Sequence, residues 1–438
     1  MTSNLLSWGA YPRLQQVGHE CRWRADIPSL LESIVSEHGS SLAFGNGRSY
    51  GDSCLAASNH VLHLRSLDKF IAADWTAGVL IAEAGVSLQE VLNVAIPHGW
   101  FLAVTPGTKF VTLGGAVAND VHGKNHHIQG TFGRHVRRLG LVRSDLGRLI
   151  CSPDANTEFF AATIGGLGLT GVIEWVEIQL VRIASSRVET VMQRFGNLNE
   201  FFALSSELDR CNDYCVAWVD CTAKGKEVGR GVYIGGNFAT EGGWKVETQR
   251  RATVPVTPPF SLVNSVTLRA FNEVYWRKHP KLRTKVSVGY EPFFYPLDGI
   301  LHWNRIYGRS GFQQYQCLIP EESAETAMQY LLSAVAQCGT GSFLAVIKRC
   351  GGLASPGLLS FPKAGTTLAL DFPHNSELEN TVFARLDSIV REAGGRLYPA
   401  KDAHMSPTDF QQGYPAWREL EALRDPVLLS HFWRRVSS

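Results

Sequence analysis

Two glycine-rich loops constrain this chain more than any other feature. The first is Gly45-Asn46-Gly47-Arg48-Ser49-Tyr50-Gly51-Asp52. The second runs from Thr105-Pro106-Gly107-Thr108 through Thr112-Leu113-Gly114-Gly115 to His122-Gly123-Lys124-Asn125-His126-His127. Glycine accepts positive φ and carries no Cβ, so such loops let backbone N–H groups close on an anion. One loop alone is weak evidence. Two of them, the second ending in a polar cluster, point to a cradle for one extended, phosphate-bearing cofactor.

A third run, Gly166-Leu167-Gly168-Leu169-Thr170-Gly171, has the formal pattern GxGxxG. A nicotinamide dinucleotide fold needs a helix directly after that pattern. Here Val172 to Val181 follows, rich in β-branched and aromatic residues, and predicts a strand. The NAD reading is rejected on that ground.

The surrounding segments mix helix and strand. Asp26 as N-cap with Pro28 in the first turn predicts a helix, and Ser87-Leu88-Gln89-Glu90 has the capping-box pattern of another. From about 185 to 394 the character changes. Strand-like runs at 214–219, 312–319, 342–347 and 366–371 alternate with helical runs at 322–332 and 380–390. This predicts an α+β domain on a largely antiparallel sheet, one face of which can cover a cofactor.

The motifs GNGRSYGD, TPGTKFVTLGGAVANDVHGKNHH and IGGLGLTGVI resemble the FAD-binding domain of vanillyl-alcohol-oxidase (PCMH-type) flavoproteins. The stretches PLDGILHWNRIYGRSGFQQYQCLIP, SFLAVIK, LDFP and the closing GRLYPAKD are similar to the decaprenylphosphoryl-β-D-ribose 2-oxidases of bacterial cell-wall arabinan synthesis. The likeness begins at Leu6-Ser7-Trp8-Gly9 and covers nearly the whole length. It implies a two-domain α+β protein: residues 1–184 bind FAD, 185–395 form the substrate domain, and 396–438 return to the FAD domain. It also implies that the residues named above from Gly45 to Asp52 and from Pro106 to Asn125 hold the cofactor, together with Ile173 and Tyr398.

Where many relatives carry a histidine bonded covalently to flavin, this chain has Arg48. A guanidinium cannot form that bond, so dissociable FAD is expected. Lys401 lies in Tyr398-Pro399-Ala400-Lys401-Asp402, which resembles the family's active-site YxAKD. Lys401, His122 and Tyr50 are the expected catalytic residues; on bare sequence Lys401 also reads as a surface lysine paired to Asp402. Lys124, Phe294, Arg305, Gln316, Lys348, Ala369 and Lys401 match positions lining the substrate pocket, with cations and amides suited to a sugar phosphate. Relatives commonly have Tyr where this chain has Phe294 and Cys where it has Ala369. Tyr295 could replace the hydroxyl, but on a strand it would face the opposite side. His122, His126 and His127 lack a local carboxylate, so no metal is expected there.

The implied reaction oxidises a sugar carbinol to a ketone, at C2 of a polyprenylphosphoryl ribose, as half of an epimerisation to arabinose. A separate NAD(P)H-dependent reductase would be the partner. The alternatives are a soluble sugar or aldonolactone oxidase using oxygen, and a carbohydrate- or lipid-binding flavoprotein without turnover.

Composition adds limits. The formal net charge of +2 gives no sign of nucleic-acid binding. The nine cysteines form no compact framework, and Cys211, Cys215 and Cys221 lack a fourth zinc ligand, so free thiols and a cytoplasmic setting are expected. No signal sequence or membrane span is read. The basic, aromatic stretch Tyr275–Lys285 after the apolar Val254–Phe260 reads equally as a solvated loop or as peripheral contact at the inner membrane face.

Overall fold

The computed structural model describes residues 5–246, 251–339 and 341–438. A three-stranded parallel sheet opens the fold, with His60–His63 between Val17–Glu20 and Ala43–Phe44. The last of these strands runs straight into the first glycine loop. A six-stranded sheet follows, ordered Phe70–Asp74, Val79–Glu83, Val172–Arg182, Val136–Arg143, Gly147–Cys151, with Trp100–Leu102 paired to the far end of Val172–Arg182. The strand expected after GxGxxG is therefore this long central strand.

The second half is an eight-stranded antiparallel sheet, ordered Thr284–Gly289, Arg187–Phe195, Gly231–Phe238, Tyr214–Val219, Val346–Cys350, Gly365–Pro373, Phe312–Ile319, Arg396–Leu397. Strand residues alternate between its faces. Ala217, Val219, Ile347, Leu368, Leu370, Tyr315 and Cys317 enter one core beneath the helices Leu198–Leu208 and Glu321–Cys338. Val216, Trp218, Val346, Lys348, Thr367, Ala369, Asp371, Gln314 and Gln316 instead line a large cavity between this sheet and the glycine loops. This sheet face and the glycine loops thus form facing walls of one cavity.

Local chemistry explains the boundaries. Ser87 accepts from the Glu90 N–H and the Glu90 side chain returns to the Ser87 N–H, so the capping box forms and starts Leu88–Ala95. Asp26 stands at the N-cap of Ile27–His38 without making a side-chain cap bond, because a short 3-10 turn over Arg24–Asp26 already leads into that helix. The strand expected at 342–347 starts only at Val346.

Three further expectations are corrected. Arg396–Leu397, assigned to the returning segment, pairs with Phe312–Ile319 as the edge of the eight-stranded sheet; contact with the first part of the chain begins just after it, where the Tyr50 N–H donates to the Ala400 carbonyl, and continues where Leu428 bridges Ser41 and Ser430 bridges Ala56. Tyr275–Lys285 is not a loop: its first part ends the helix Ser265–Lys278 and its last part begins the strand Thr284–Gly289. Phe294 lies on a short helix, Tyr290–Phe294, rather than on a strand.

Candidate active site

The cavity has a volume of about 700 Å³, inside the range of cofactor and ligand sites. Its polar end is built by the glycine loops. Gly47 has φ +57°, and a Cβ there would lie 2.7 Å from the Leu6 carbonyl, so the loop turns back only with glycine. Gly51 lies so close to the Asp402 backbone that a Cβ would sit 1.6 Å from its carbonyl oxygen. That approach, with Tyr50 N–H donating to the Ala400 carbonyl at 3.0 Å, clamps the first loop to the segment carrying Lys401.

Gly45 to Tyr50, Pro106 to Thr108, Thr112, Gly114, Gly115, His122 to Lys124, Ile173 and Tyr398 all line the cavity. Phe294, Gln316, Lys348, Ala369 and Lys401 do so as well. Five expected residues stand off the wall. Asp52 is paired with Arg435 at 2.8 Å, and Gly51 makes the backbone contact just described. Leu113 is a fully buried core residue. Asn125 donates to the Ala103 carbonyl at 2.7 Å, shaping the loop from behind. Arg305 donates to the Val254 and Pro255 carbonyls, which ties down the apolar segment rather than facing a substrate.

Lys401 Nζ lies 3.6 Å from the centroid of the Tyr50 ring. Asp402 turns away from it, bonded to Arg435 at 2.9 Å and His404 at 3.1 Å, so Lys401 is no surface partner of Asp402. Burial pushes the Lys401 amine well below the usual lysine range, and the Asp371 charge opposes that shift in part. Asp371 answers in kind: burial raises its carboxyl, against a 2.6 Å hydrogen bond from Gln314 and the Lys401 charge. Each group is thus driven toward its neutral form inside the cavity. Gln314 also reaches the Tyr50 hydroxyl, so Tyr50, Gln314, Asp371 and Lys401 form one polar corner.

His122 also faces the cavity, its Nε2 3.4 Å from Gln316 Nε2 and its ring 5.4 Å from that of Tyr398. Burial and the nearby Lys348 and His126 hold it well below the ordinary imidazole range, so it is a neutral imidazole at pH 7. Lys124 donates to the Phe293 carbonyl and Lys348 to the Gly123 carbonyl, the latter at 2.7 Å. Burial, then repulsion from Lys348, pulls Lys124 down to about 7. Both amines bond carbonyl oxygens and stand close enough to repel each other, an arrangement that an anion between them would relieve.

Phe294 brings an apolar ring to the wall, and Tyr295 does not supply the missing phenol. The Tyr295 hydroxyl is fully buried, 2.7 Å from Thr105 Oγ1 behind the second loop.

The donor set fits FAD. Glycine-edged backbone surrounds the polar end, the mixed polar and apolar sheet face covers the rest, and the Arg48 Nε, Ser53 Oγ and His122 Nδ1 atoms are buried without hydrogen-bond partners among the described residues, ready for a polar ligand. Arg48 itself stacks 4.2 Å from the Trp8 ring centroid.

Sequence reasoning missed Asp371, Gln314 and Trp8. The first two had a signal: they stand two residues from Ala369 and Gln316, on the same face of paired strands. Trp8 had none, because only the fold brings it to Arg48.

Comparison with known proteins agrees with this geometry. A family model described as an FAD binding domain matches residues 20–151. The decaprenylphosphoryl-β-D-ribose oxidase of Mycolicibacterium smegmatis is 34% identical, over 99% of this chain and 97% of its own. A Streptomyces coelicolor protein described as uncharacterized, in the mprA 5′ region, is 32% identical over 80% of this chain and 100% of its own. The L-gulonolactone oxidase of Scyliorhinus torazame is 28% identical over only 36% of this chain and 35% of its own.

Proposed function

As the chain belongs to the decaprenylphosphoryl-β-D-ribose oxidase family of FAD-dependent oxidoreductases, we propose that it oxidises the C2 hydroxyl of a polyprenylphosphoryl ribose to the ketone. The observation that carries this reading is the single cavity in which a depressed lysine, a neutral histidine and two buried amines converge. Bound FAD supplies the two-electron acceptor for the hydride that leaves the carbinol carbon.

The protein's own work is to hold the sugar and move the hydroxyl proton. Lys401, neutral in part because it is desolvated, accepts that proton from the C2 hydroxyl. Asp371 and Gln314 fix the Tyr50–Lys401 corner so that the amine faces the cavity. His122 and Gln316 hydrogen-bond the sugar. Lys124 and Lys348 take the phosphodiester. Arg48 and the glycine loops hold FAD without a covalent bond.

The chain-length end of the substrate has an apolar route. Trp218, Phe271, Tyr275, Ile300, Leu301, Phe343 and Leu344 line the cavity's outer part. Beyond them Phe260, Val266, Val274 and Leu282 are 68–80% exposed, beside Arg269, Arg277, Lys278, Lys281 and Arg283. Apolar side chains among cations suit the interface of an anionic membrane, where a polyprenyl chain resides. Among the described residues no helix is long and apolar enough to cross a membrane. A separate NAD(P)H-dependent reductase would complete the change to arabinose.

The test is product identity. The holoenzyme is incubated with a short-chain polyprenylphosphoryl ribose and the mixture is reduced with borodeuteride. Deuterium at C2 of ribose and arabinose is expected. Deuterium at another carbon, or turnover of free sugars or aldonolactones in preference, would reject the substrate and favour the oxygen-using oxidase.

A further inference from the structure

The three-stranded sheet at the back of the FAD unit carries a cluster unrelated to the cavity. His19 on the first strand, His60 at the start of its neighbour and His38 at the end of the helix Ile27–His38 come together on the surface. One ring nitrogen from each lies within 4.8 Å of the other two. We propose that these three histidines form a binding site for a zinc-class divalent transition metal.

The geometry is close to a ligand set. His19 Nε2 and His60 Nδ1 are 3.0 Å apart. Two nitrogens bound at about 2.05 Å to one tetrahedral ion stand about 3.3 Å apart. The half-buried His38 ring packs on His60 with centroids 3.4 Å apart, and one of its nitrogens already lies within 4.8 Å of a nitrogen on each of the other two. The Glu37 carboxylate lies 3.6 Å from His38 Nε2, as the fourth ligand or the orienting partner. The supports are fixed: Ser41 Oγ donates to the His60 carbonyl at 3.1 Å, and the His60 N–H donates to Ser58 Oγ at 3.2 Å.

Charge favours the same occupant. The helix ends at His38, so its last carbonyls present partial negative charge to a cation. Glu37 is the carboxylate that faces the group. Imidazole nitrogen is a donor that suits zinc, copper and nickel. The site would staple the N-terminal strand, the first helix and the strand beside Ala43–Phe44, which leads into the cofactor loop.

The test uses the untagged holoenzyme, stripped of metal by a chelating resin, titrated with zinc sulfate in a calorimeter and melted with and without zinc. One zinc per chain and a raised melting temperature are expected. His19→Asn, His60→Asn and the solvent-side His38→Gln should each weaken binding at least about 100-fold and abolish the thermal shift while keeping the flavin spectrum. Zinc bound equally by all three variants would place it elsewhere, for example at the exposed Cys211 or Cys338, and overturn the proposal. No binding below millimolar zinc would overturn it too.

Discussion

Lys124 offers the most quantitative test of how the cavity recognises its substrate. Its amine sits near 7 instead of 10.5. At about 1.4 kcal/mol per unit, burying its charge costs up to about 5 kcal/mol in the free enzyme. An anion beside it returns part of that. A phosphodiester keeps one negative charge throughout the neutral range, so any pH dependence of its binding comes from the protein. Below pH 7 Lys124 is already protonated and affinity is flat. Above pH 7 the amine must gain a proton on binding, and the Kd should rise by up to about tenfold per pH unit. Lys124→Met removes a charge-assisted hydrogen bond worth about 1.5–3 kcal/mol, or about 10–150-fold in Kd, and removes the portion of the pH dependence that starts at 7. The same change should leave the substrate-free protein as stable or more so below pH 7, where the buried cation is most costly. A dead-end ligand, polyprenylphosphoryl 2-deoxyribose, lets the Kd be read from the flavin spectrum from pH 6 to 9. A wild-type Kd that is flat across that range, or a variant with unchanged affinity and slope, would refute the phosphate role of Lys124.

Three other expectations follow from the same geometry. Lys401→Met should lower kcat by about 10²–10⁴-fold with an unchanged flavin content; full activity in a flavin-loaded variant would remove Lys401 from the chemistry. Acid precipitation should release all the FAD into the supernatant and leave a colourless pellet, whereas a yellow pellet would mean that a residue other than Arg48 bonds it. His404, wedged between Asp387 and Asp402, is raised from 6.5 to about 10 chiefly by Asp402 against the cost of burial. Its contribution is whole below 6.5 and is lost as pH rises through 10, so thermal stability should decline across that window. His404→Ala should cost about 3–5 kcal/mol at pH 6 and flatten the decline; an undiminished decline would assign it to other groups.

The fold was legible where chemistry is local. The capping box at Ser87–Glu90, the glycine pattern and the strand after Gly171 each follow from residues a few positions apart. The site was legible only in part. Lys401, His122 and Lys124 stand inside short motifs, and all three line the cavity. Gln314 and Asp371 meet across two strands, 57 residues apart in sequence, and only the register makes them neighbours. Arg305 failed for the opposite reason: its residue type suits phosphate, but two backbone carbonyls at Val254 and Pro255 claim its guanidinium. Tyr295 does face away, as read, but from the end of a short helix rather than from a strand.

The most direct test is an anaerobic titration of the holoenzyme with a short-chain polyprenylphosphoryl ribose, following the visible flavin band. Stoichiometric bleaching, one sugar per flavin, is the expected result. A band that stays oxidised with this sugar, and bleaches only with a free sugar or a lactone, would contradict the account.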